Sequence, residues 1–353
     1  MDKLDLRDLS FEELERFVGD ELGEKPYRAR QLFRWLYRRN ARAFAEMTDL
    51  KEELRERLEA RCTIEPLPIA AVHRSADGTE KLQLALKDGG AVEAVLIPGD
   101  DRLTLCVSSQ VGCAMGCAFC YTGSLKLSRN LTCAEIVDQY RQALHHLGGK
   151  AERISNVVLM GMGEPLANFD AVAKAVNLLM DDRGYDLSGR RVTVSTCGIA
   201  PRLKDLAEQT DASLAVSLNA TTDTTRSLLM PINRKHPLAE LMRALEAFPL
   251  ARRKRILFEY VLLAGVNDTD EDARRLVKLA RRISCKVNLI PYNPHGASDF
   301  ARPSDERILA FQKILLDAGV TAFIRQSRGQ DIYGACGMLG RGARRPDSTA
   351  RIS

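Results

Sequence analysis

Apolar residues recur at three-to-four spacing between residues 11 and 60. Leu32-Phe33 and Trp35-Leu36 in RARQLFRWLYRRN line one helix face, and the charged run KEELRERLEARC reads as a further helix. This predicts a small helical N-terminal module, residues 1–75. Across residues 80–97 the period changes to two: EKLQLALKDGGAVEAVLIP alternates about Asp88-Gly89-Gly90, the composition of a hairpin turn, and residues 76–100 read as a β-hairpin extension. Glu93 shares parity with Val95 and Ile97, while Val92, Ala94 and Leu96 take the other face. Neither face is plainly the wet one, so the Glu93 carboxylate is free to point inward.

From residue 103 onward seven β-rich runs follow one another: LTLCVSSQ, SNVVLMGMG, RVTVSTCG, SLAVSLNA, ILFEYVLL, KVNLIPYN and TAFIRQS, separated by six helical connections. Strand, crossover helix and strand repeated in this way imply a parallel sheet with right-handed connections. The expectation is an α/β fold with an incomplete (β/α)6 barrel over residues 101–338, a doubly wound open sheet being the alternative. Thr132 followed by Glu135 is a capping-box pattern that starts the first connecting helix, which leaves the preceding cysteine-rich segment in a loop. The polar, basic end GRGARRPDSTARIS lacks periodicity, and residues 339–353 read as a flexible basic tail.

Composition narrows the class. Of 353 residues 45% are hydrophobic and 28% charged, as in ordinary folded proteins rather than disordered or fibrous ones. No apolar run approaches the roughly 18 residues of a membrane span, and MDKLDLRDLSFEELERF holds no signal-type apolar core. No membrane association and a cytoplasmic location are expected. The formal charge is only +5, but basic residues cluster at Arg38-Arg39, Arg190-Arg191, Arg252-Arg253-Lys254-Arg255, Arg281-Arg282 and from Arg341 to Arg345. Such clusters suit a polyanion such as a nucleic acid, although each run alone serves equally as a solvated surface.

Nine cysteines, three of them in CAMGCAFC, fit thiolate chemistry in a reducing compartment better than a disulfide framework. Cys113, Cys117 and Cys120 can hold three irons of a cluster and leave the fourth open to a ligand. A structural zinc would want a fourth Cys or His at short spacing, and the nearest histidines, His145 and His146, lie at the end of the following helix. Glu164, Ser195, Asn219 and Asn293 fall at or just after the C-terminal ends of predicted strands, the catalytic face of a β/α barrel. Gly161, Gly163 and Pro165 permit a tight turn around Glu164, though a plain strand-to-helix turn would use the same residues. Cys106, inside the first barrel strand, reads as a small buried hydrophobe, whereas Cys336 between glycines in YGACGMLGRG suits an exposed, reactive thiolate. Cys62, Cys133 and Cys285 read as packing residues, and Cys197 sits beside Ser195 at a strand tip.

The segments KPYRARQLFRWLY, SADGTEKL, VEAVLIP, TLCVSSQVGCAMGCAFC, SRNLTCAEI, LMGMGEPLAN, VSTCGIAP, MPIN, LIPYNP and GQDIYGACGML occur in this order. Over residues 23–339 the chain thereby resembles the RlmN/Cfr family of radical S-adenosylmethionine RNA methyltransferases. The resemblance implies a radical S-adenosylmethionine barrel with a [4Fe-4S] cluster on Cys113, Cys117 and Cys120. Two S-adenosylmethionine molecules would be used per turnover, bound by Gly163, Glu164, Ser195, Ser217, Leu218, Asn219 and Asn293. Cys336 would carry the methyl group, Glu93 would accept the proton from the base, and Cys106 would attack the Cys336 sulfur to give a transient disulfide. The implied activity is methylation of adenosine C2 in ribosomal RNA and possibly transfer RNA, with the helical module gripping RNA. A flavodoxin or ferredoxin as electron donor and a monomeric chain complete the expectation. Tyr121 stands where many relatives carry a small residue, Asn219 where histidine is familiar, and GSLKLSRNL departs from the usual pattern. A Cfr-like C8 specificity or another RNA therefore stays open. So does a non-catalytic iron–sulfur RNA-binding or redox-sensor protein, which would need the three ligands but not Glu93, Cys106 or Cys336.

Overall fold

The structure, a computed structural model, describes residues 3–148, 154–250 and 254–341. Its N-terminal part holds β1 (Leu4–Asp5), α1 (Phe11–Arg16), α2 (Tyr27–Tyr37), α3 (Glu52–Arg61) and β2 (Cys62–Thr63), with β1 and β2 paired in parallel. Ser10 and Glu13 close a capping box on α1, satisfying backbone donors that the first turn leaves free. Leu32, Phe33 and Leu36 of α2 are fully buried, as their spacing predicts, and Phe11 meets Phe33 edge-on at 5.3 Å.

This module is not an independent unit, because its apolar residues and those of the barrel form one continuous core. A buried ion cluster ties the two together. Arg7 Nη1 donates to Asp138 Oδ1 at 2.7 Å, Arg141 Nη1 donates to the same oxygen at 2.8 Å, and the Leu67 N–H reaches Asp138 Oδ2 at 2.5 Å.

The extension differs from a simple hairpin over 76–100. Three antiparallel strands, β3 (Ile69–Arg74), β4 (Glu80–Ala85) and β5 (Ala91–Gly99), run onto β6 (Arg102–Cys106), so the sheet begins inside the segment expected to be helical. β3 escapes a pattern reading because none of its residues is fully buried and its two faces barely differ.

After β6 come the short pair β7 (Gln110–Val111) and β8 (Arg129–Asn130), which bracket the cysteine loop and the single turn α4 (Tyr121–Ser124). Then α5 (Cys133–His146), β9 (Ile154–Leu159), α6 (Phe169–Met180), β10 (Val192–Thr196), α7 (Arg202–Gln209) and β11 (Ser213–Ser217) alternate. The connection after β11 carries two helices, α8 (Asp223–Leu229) and α9 (Leu238–Glu246). β12 (Ile256–Leu262), α10 (Asp270–Ala280), β13 (Cys285–Pro291), α11 (Asp305–Asp317) and β14 (Ala322–Ile324) follow. α5 starts on the expected capping box of Thr132 and Glu135.

The ten strands form one sheet in the order β14-β13-β12-β11-β10-β9-β6-β5-β4-β3, with β6 and β9 to β14 all parallel. A doubly wound sheet reverses strand order at a switch point. Here the order runs without reversal, and the sheet is an incomplete α/β barrel of seven parallel strands with six helical connections. No described helix is long and apolar enough to cross a membrane.

Strand register decides which side chains meet. Val95 lies opposite Cys106, Cys106 opposite Val158, Ser195 opposite Ala215, Ser217 opposite Glu259 and Glu259 opposite Asn288. Because side chains alternate across a strand, Glu93, Cys106, Ser195, Ser217 and Glu259 share one face of the sheet.

Candidate active site

A cavity opens at the C-terminal ends of the parallel strands. Cys113, Cys117 and Cys120 line one side, and Gly163, Glu164, Ser195, Ser217, Asn219 and Asn293 line the others. Cys336 and Gly337 close it from the C-terminal loop. Leu218 is fully buried and does not line this space. Its N–H donates to the Glu259 carbonyl at 2.9 Å and its own carbonyl accepts from Arg226 Nε at 3.0 Å. Its contribution is therefore to hold the strand end.

Tight turns shape the cysteine loop. Gly112, at φ +78°, passes so close to Lys126 that a Cβ there would sit 2.2 Å from its carbonyl oxygen. Burial pushes the three thiols up, Cys113 to about 12, so the loop without iron holds neutral thiols. Among the described residues no three Cys, His or acidic side chains converge on one point, as the ligands of a single zinc must. Ligands of a cubane each bind a different iron and stand further apart, and three thiols at the rim of an open cavity fit that arrangement.

On the opposite wall Gly163, at φ +102°, runs against Gln110, where a Cβ would meet the Gln110 Cβ at 2.6 Å. Glu164 is buried and anchored: Oε1 accepts from the Leu166 N–H at 2.9 Å and Oε2 from the Cys197 N–H at 2.7 Å. Burial raises its pKa despite these bonds. Asn219 adopts a left-handed φ of +57°, and its Oδ1 accepts from the Val261 N–H at 2.8 Å, so much of its amide serves the fold. Asn293 Nδ2 donates to the Cys336 carbonyl at 3.0 Å while its Oδ1 accepts from Gln330 Nε2 at 2.6 Å. It thus joins the cavity wall to the Cys336 loop.

Glu93 and Cys106 stand behind that loop rather than in the cavity wall. Glu93 is 1% exposed, where an edge-strand carboxylate would be wet; β5 is an inner strand, flanked by β4 and β6. Its Oε1 lies 3.1 Å from Lys81 Nζ and its Oε2 accepts from the Gly340 N–H at 2.7 Å. Cys106 is buried, which pushes its thiol up to about 12, with Cys336 adding to the effect and Arg325 opposing it. Cys336 is only half-buried. The loop is tied just after Cys336 to the segment that follows the cluster cysteines: Tyr121 N–H donates to the Gly337 carbonyl at 2.7 Å and Thr122 Oγ1 to the Leu339 carbonyl at 2.7 Å. Leu339 and Gly340 are packed against the barrel, so no free tail begins at 339; residues 342–353 lie outside the described residues.

Three residues that the sequence reading did not single out belong to this neighbourhood. Glu259 lines the cavity, buried, with Arg325 Nη1 3.8 Å from Oε1. Lys81 neutralises Glu93. Arg226 is buried beneath the cofactor wall. For Glu259 the signal was parity, a charged residue at an inward position of the otherwise apolar strand ILFEYVLL; Lys81 in the polar strand EKLQLA and Arg226 on a helix carried none. His145 and His146 are half-buried and bonded to the Asn40 carbonyl and to Glu80, far from any metal role.

An incomplete parallel barrel with three cysteines at its C-terminal mouth defines the radical S-adenosylmethionine class, and the model of the radical SAM superfamily matches residues 107–278. The model of the ribosomal RNA large subunit methyltransferase N-terminal domain matches residues 4–64. The dual-specificity RNA methyltransferase RlmN of Geotalea uraniireducens is 50% identical over 96% of this chain and 97% of its own length. That of Geobacter sulfurreducens is 52% identical over 95% and 92%. The crystal structure of a radical SAM methyltransferase from Sphaerobacter thermophilus superposes with a TM-score of 0.90 at 43% identity, covering 95% of this chain and 99% of that one. The chain belongs to the RlmN/Cfr family of radical S-adenosylmethionine RNA methyltransferases.

Proposed function

We propose that this chain methylates C2 of adenosine in ribosomal RNA, and in transfer RNA as well, through a methyl group carried on Cys336. The observation that supports this most is the position of Cys336, which lines the cavity of the three cluster cysteines and lies near the buried Cys106. One sulfur at that junction can collect a methyl group on one side and be attacked on the other.

Cys113, Cys117 and Cys120 would hold the [4Fe-4S] cluster, and Gly163, Glu164, Ser195, Ser217, Asn219 and Asn293, which line the same cavity, would bind S-adenosylmethionine. When bound, cluster and cofactor supply the methyl group and the organic radical that C2, an electron-poor carbon, requires. Asn293 positions the Cys336 backbone, and the half-buried thiol becomes the methyl thioether. Glu93 takes the proton from C2 after the carbon–carbon bond forms, and the unpaired electron left on the base would pass to the oxidised cluster, so that a closed-shell thioether cross-link remains. That step requires the loop to lift, because Gly340 and Lys81 occupy both Glu93 oxygens in the closed state. The Cys106 thiolate then attacks the Cys336 sulfur; a disulfide forms, the sulfur–carbon bond breaks, and the carbon keeps the electron pair and takes up a proton. C2 lies in the minor groove of a duplex, so the substrate adenosine is in a loop or extruded. A low-potential flavodoxin or ferredoxin donates the electron, and the chain works as a cytoplasmic monomer.

The experiment is nucleoside mass spectrometry of ribosomal and transfer RNA from a deletion strain carrying either the wild-type gene or Cys336→Ala. C2-methyladenosine returns with the wild type alone. Return of C8-methyladenosine instead, or methylation by Cys336→Ala, overturns the reading.

A further inference from the structure

Arg226 of α8 is fully buried, yet each hydrogen-bond partner it has is a neutral oxygen. Nε donates to the Leu218 carbonyl at 3.0 Å, Nη1 to Asn233 Oδ1 at 3.0 Å, and Nη2 to the carbonyls of Cys197 at 2.7 Å and Ser217 at 3.2 Å. It makes no ion pair with an acidic side chain among the described residues. The acid on its own helix, Asp223, accepts at Oδ1 from Asn233 Nδ2 and from the Leu238 N–H, both at 2.9 Å. A buried, uncompensated cation is costly, and such charges persist where an opposite charge is supplied.

The place of Arg226 says where that charge comes from. The Ala118 N–H, between Cys117 and Cys120, donates to the carbonyl of Leu229 at 2.9 Å, the last residue of the helix that carries Arg226. Phe119, Leu229 and Met230 form one buried cluster with Cys117 and Cys120 packed against it. Arg226 and Glu164 also grip Cys197 from opposite sides, through its carbonyl and its N–H.

We infer that Arg226 is the built-in counter-charge of the thiolate-held cluster and sets the ease with which that cluster accepts an electron. The inference rests on the three-cysteine reading of the loop. Iron–sulfur potentials depend on net charge and burial around the cluster. Reduction adds one negative charge to a group already anionic through its thiolates, and a fixed buried cation favours that more negative state. Arg226 is accordingly a positioning residue that acts through the cluster and touches no substrate.

The test compares anaerobically reconstituted wild-type protein with Arg226→Gln and Arg226→Lys, measuring iron per chain and following the reduced cluster by electron paramagnetic resonance in a redox titration. For Arg226→Gln the reduced-to-oxidised ratio at a fixed solution potential falls about tenfold, a midpoint about 59 mV lower for one electron. Arg226→Lys, which keeps the charge, stays much closer to wild type. A wild-type midpoint in fully loaded Arg226→Gln overturns the inference. Failure of Arg226→Lys to fold overturns it too, because the residue is then a structural bracket of the strand ends. Wild-type protein that loads no cluster contradicts the reading of the loop itself.

Discussion

Cys106 carries the clearest single-residue consequence. Burial pushes its thiol up to about 12, so at neutral pH it is protonated and becomes a nucleophile only when it loses that proton. Its step comes after RNA is already bonded to Cys336. Cys106→Ala should therefore still modify the base but accumulate a covalent RNA–protein adduct, seen on denaturing gels as a band removed by nuclease and absent from the Cys106→Ala, Cys336→Ala pair. A cysteine that merely packs would instead lower stability by about 1 kcal/mol with no adduct. In the wild type the sign of the pH effect follows: raising the pH toward 12 increases the thiolate fraction, so adduct decay should speed up about tenfold per unit where thiolate supply limits it. Decay that is flat with pH assigns the proton loss elsewhere. The sequence showed both cysteines and, through strand parity, let Glu93 face inward. It could not show Lys81 on Glu93 or Arg325 near Cys106, because those pairings cross strands and the register that makes them is tertiary.

At the scale of elements, periodicity carried the barrel and failed at its attachments. All seven parallel strands and the α5 capping box follow from spacing, since each strand buries its side chains and each crossover helix needs one apolar stripe. β3 was missed because its residues are half-exposed on both faces. The division at residue 75 misses what fastens the N-terminal helices to α5: the cluster of Arg7, Asp138 and Arg141, residues that a sequence reading would put on a wet helix face. Asp138→Ala leaves the buried Arg141 guanidinium without a carboxylate and Arg7 with Asp5 alone, and breaking a buried pair costs about 3–5 kcal/mol. The expected result is a clear fall in melting temperature, whereas Lys204→Ala, on the exposed side of α7, changes it little. Gly112 tests the loop in the same way. With φ at +78° and a Lys126 oxygen 2.2 Å from any added Cβ, Gly112→Ala should disorder the cysteine loop. Iron per chain after reconstitution should drop while helix content is unchanged; full iron loading shows that the loop tolerates the shift.

On the scale of the whole molecule, the C-terminal loop is where the extension, the cysteine loop and the barrel meet. Its far side rests on the turn between β3 and β4. Asp77 Oδ2 accepts from the Gly329 N–H at 2.8 Å, Arg328 Nη1 donates to the Asp77 carbonyl at 3.2 Å, and Ser75 Oγ donates to Asp331 Oδ1 at 2.6 Å. Partial burial works to raise the Asp77 pKa, but bonds from Thr79 and from the Gly329 N–H outweigh it and hold the group at about 2, against 3.8 when free. A carboxyl depressed in this way favours docking above pH 3.8 and ceases to do so as pH falls through about 2. Asp77 is exposed, so solvent screens the contribution. Asp77→Asn should mimic acid at neutral pH: hydrogen exchange over residues 326–340 accelerates, while the barrel strands stay protected. Because Gly340 leaves Glu93 when this loop opens, alkylation of Cys336 should quicken in the same variant, with cluster loading unchanged. Unaltered exchange and alkylation would mean that the bonds from Tyr121, Thr122, Asn293 and Glu93 hold the loop, and that the turn between β3 and β4 has no part in closing the site.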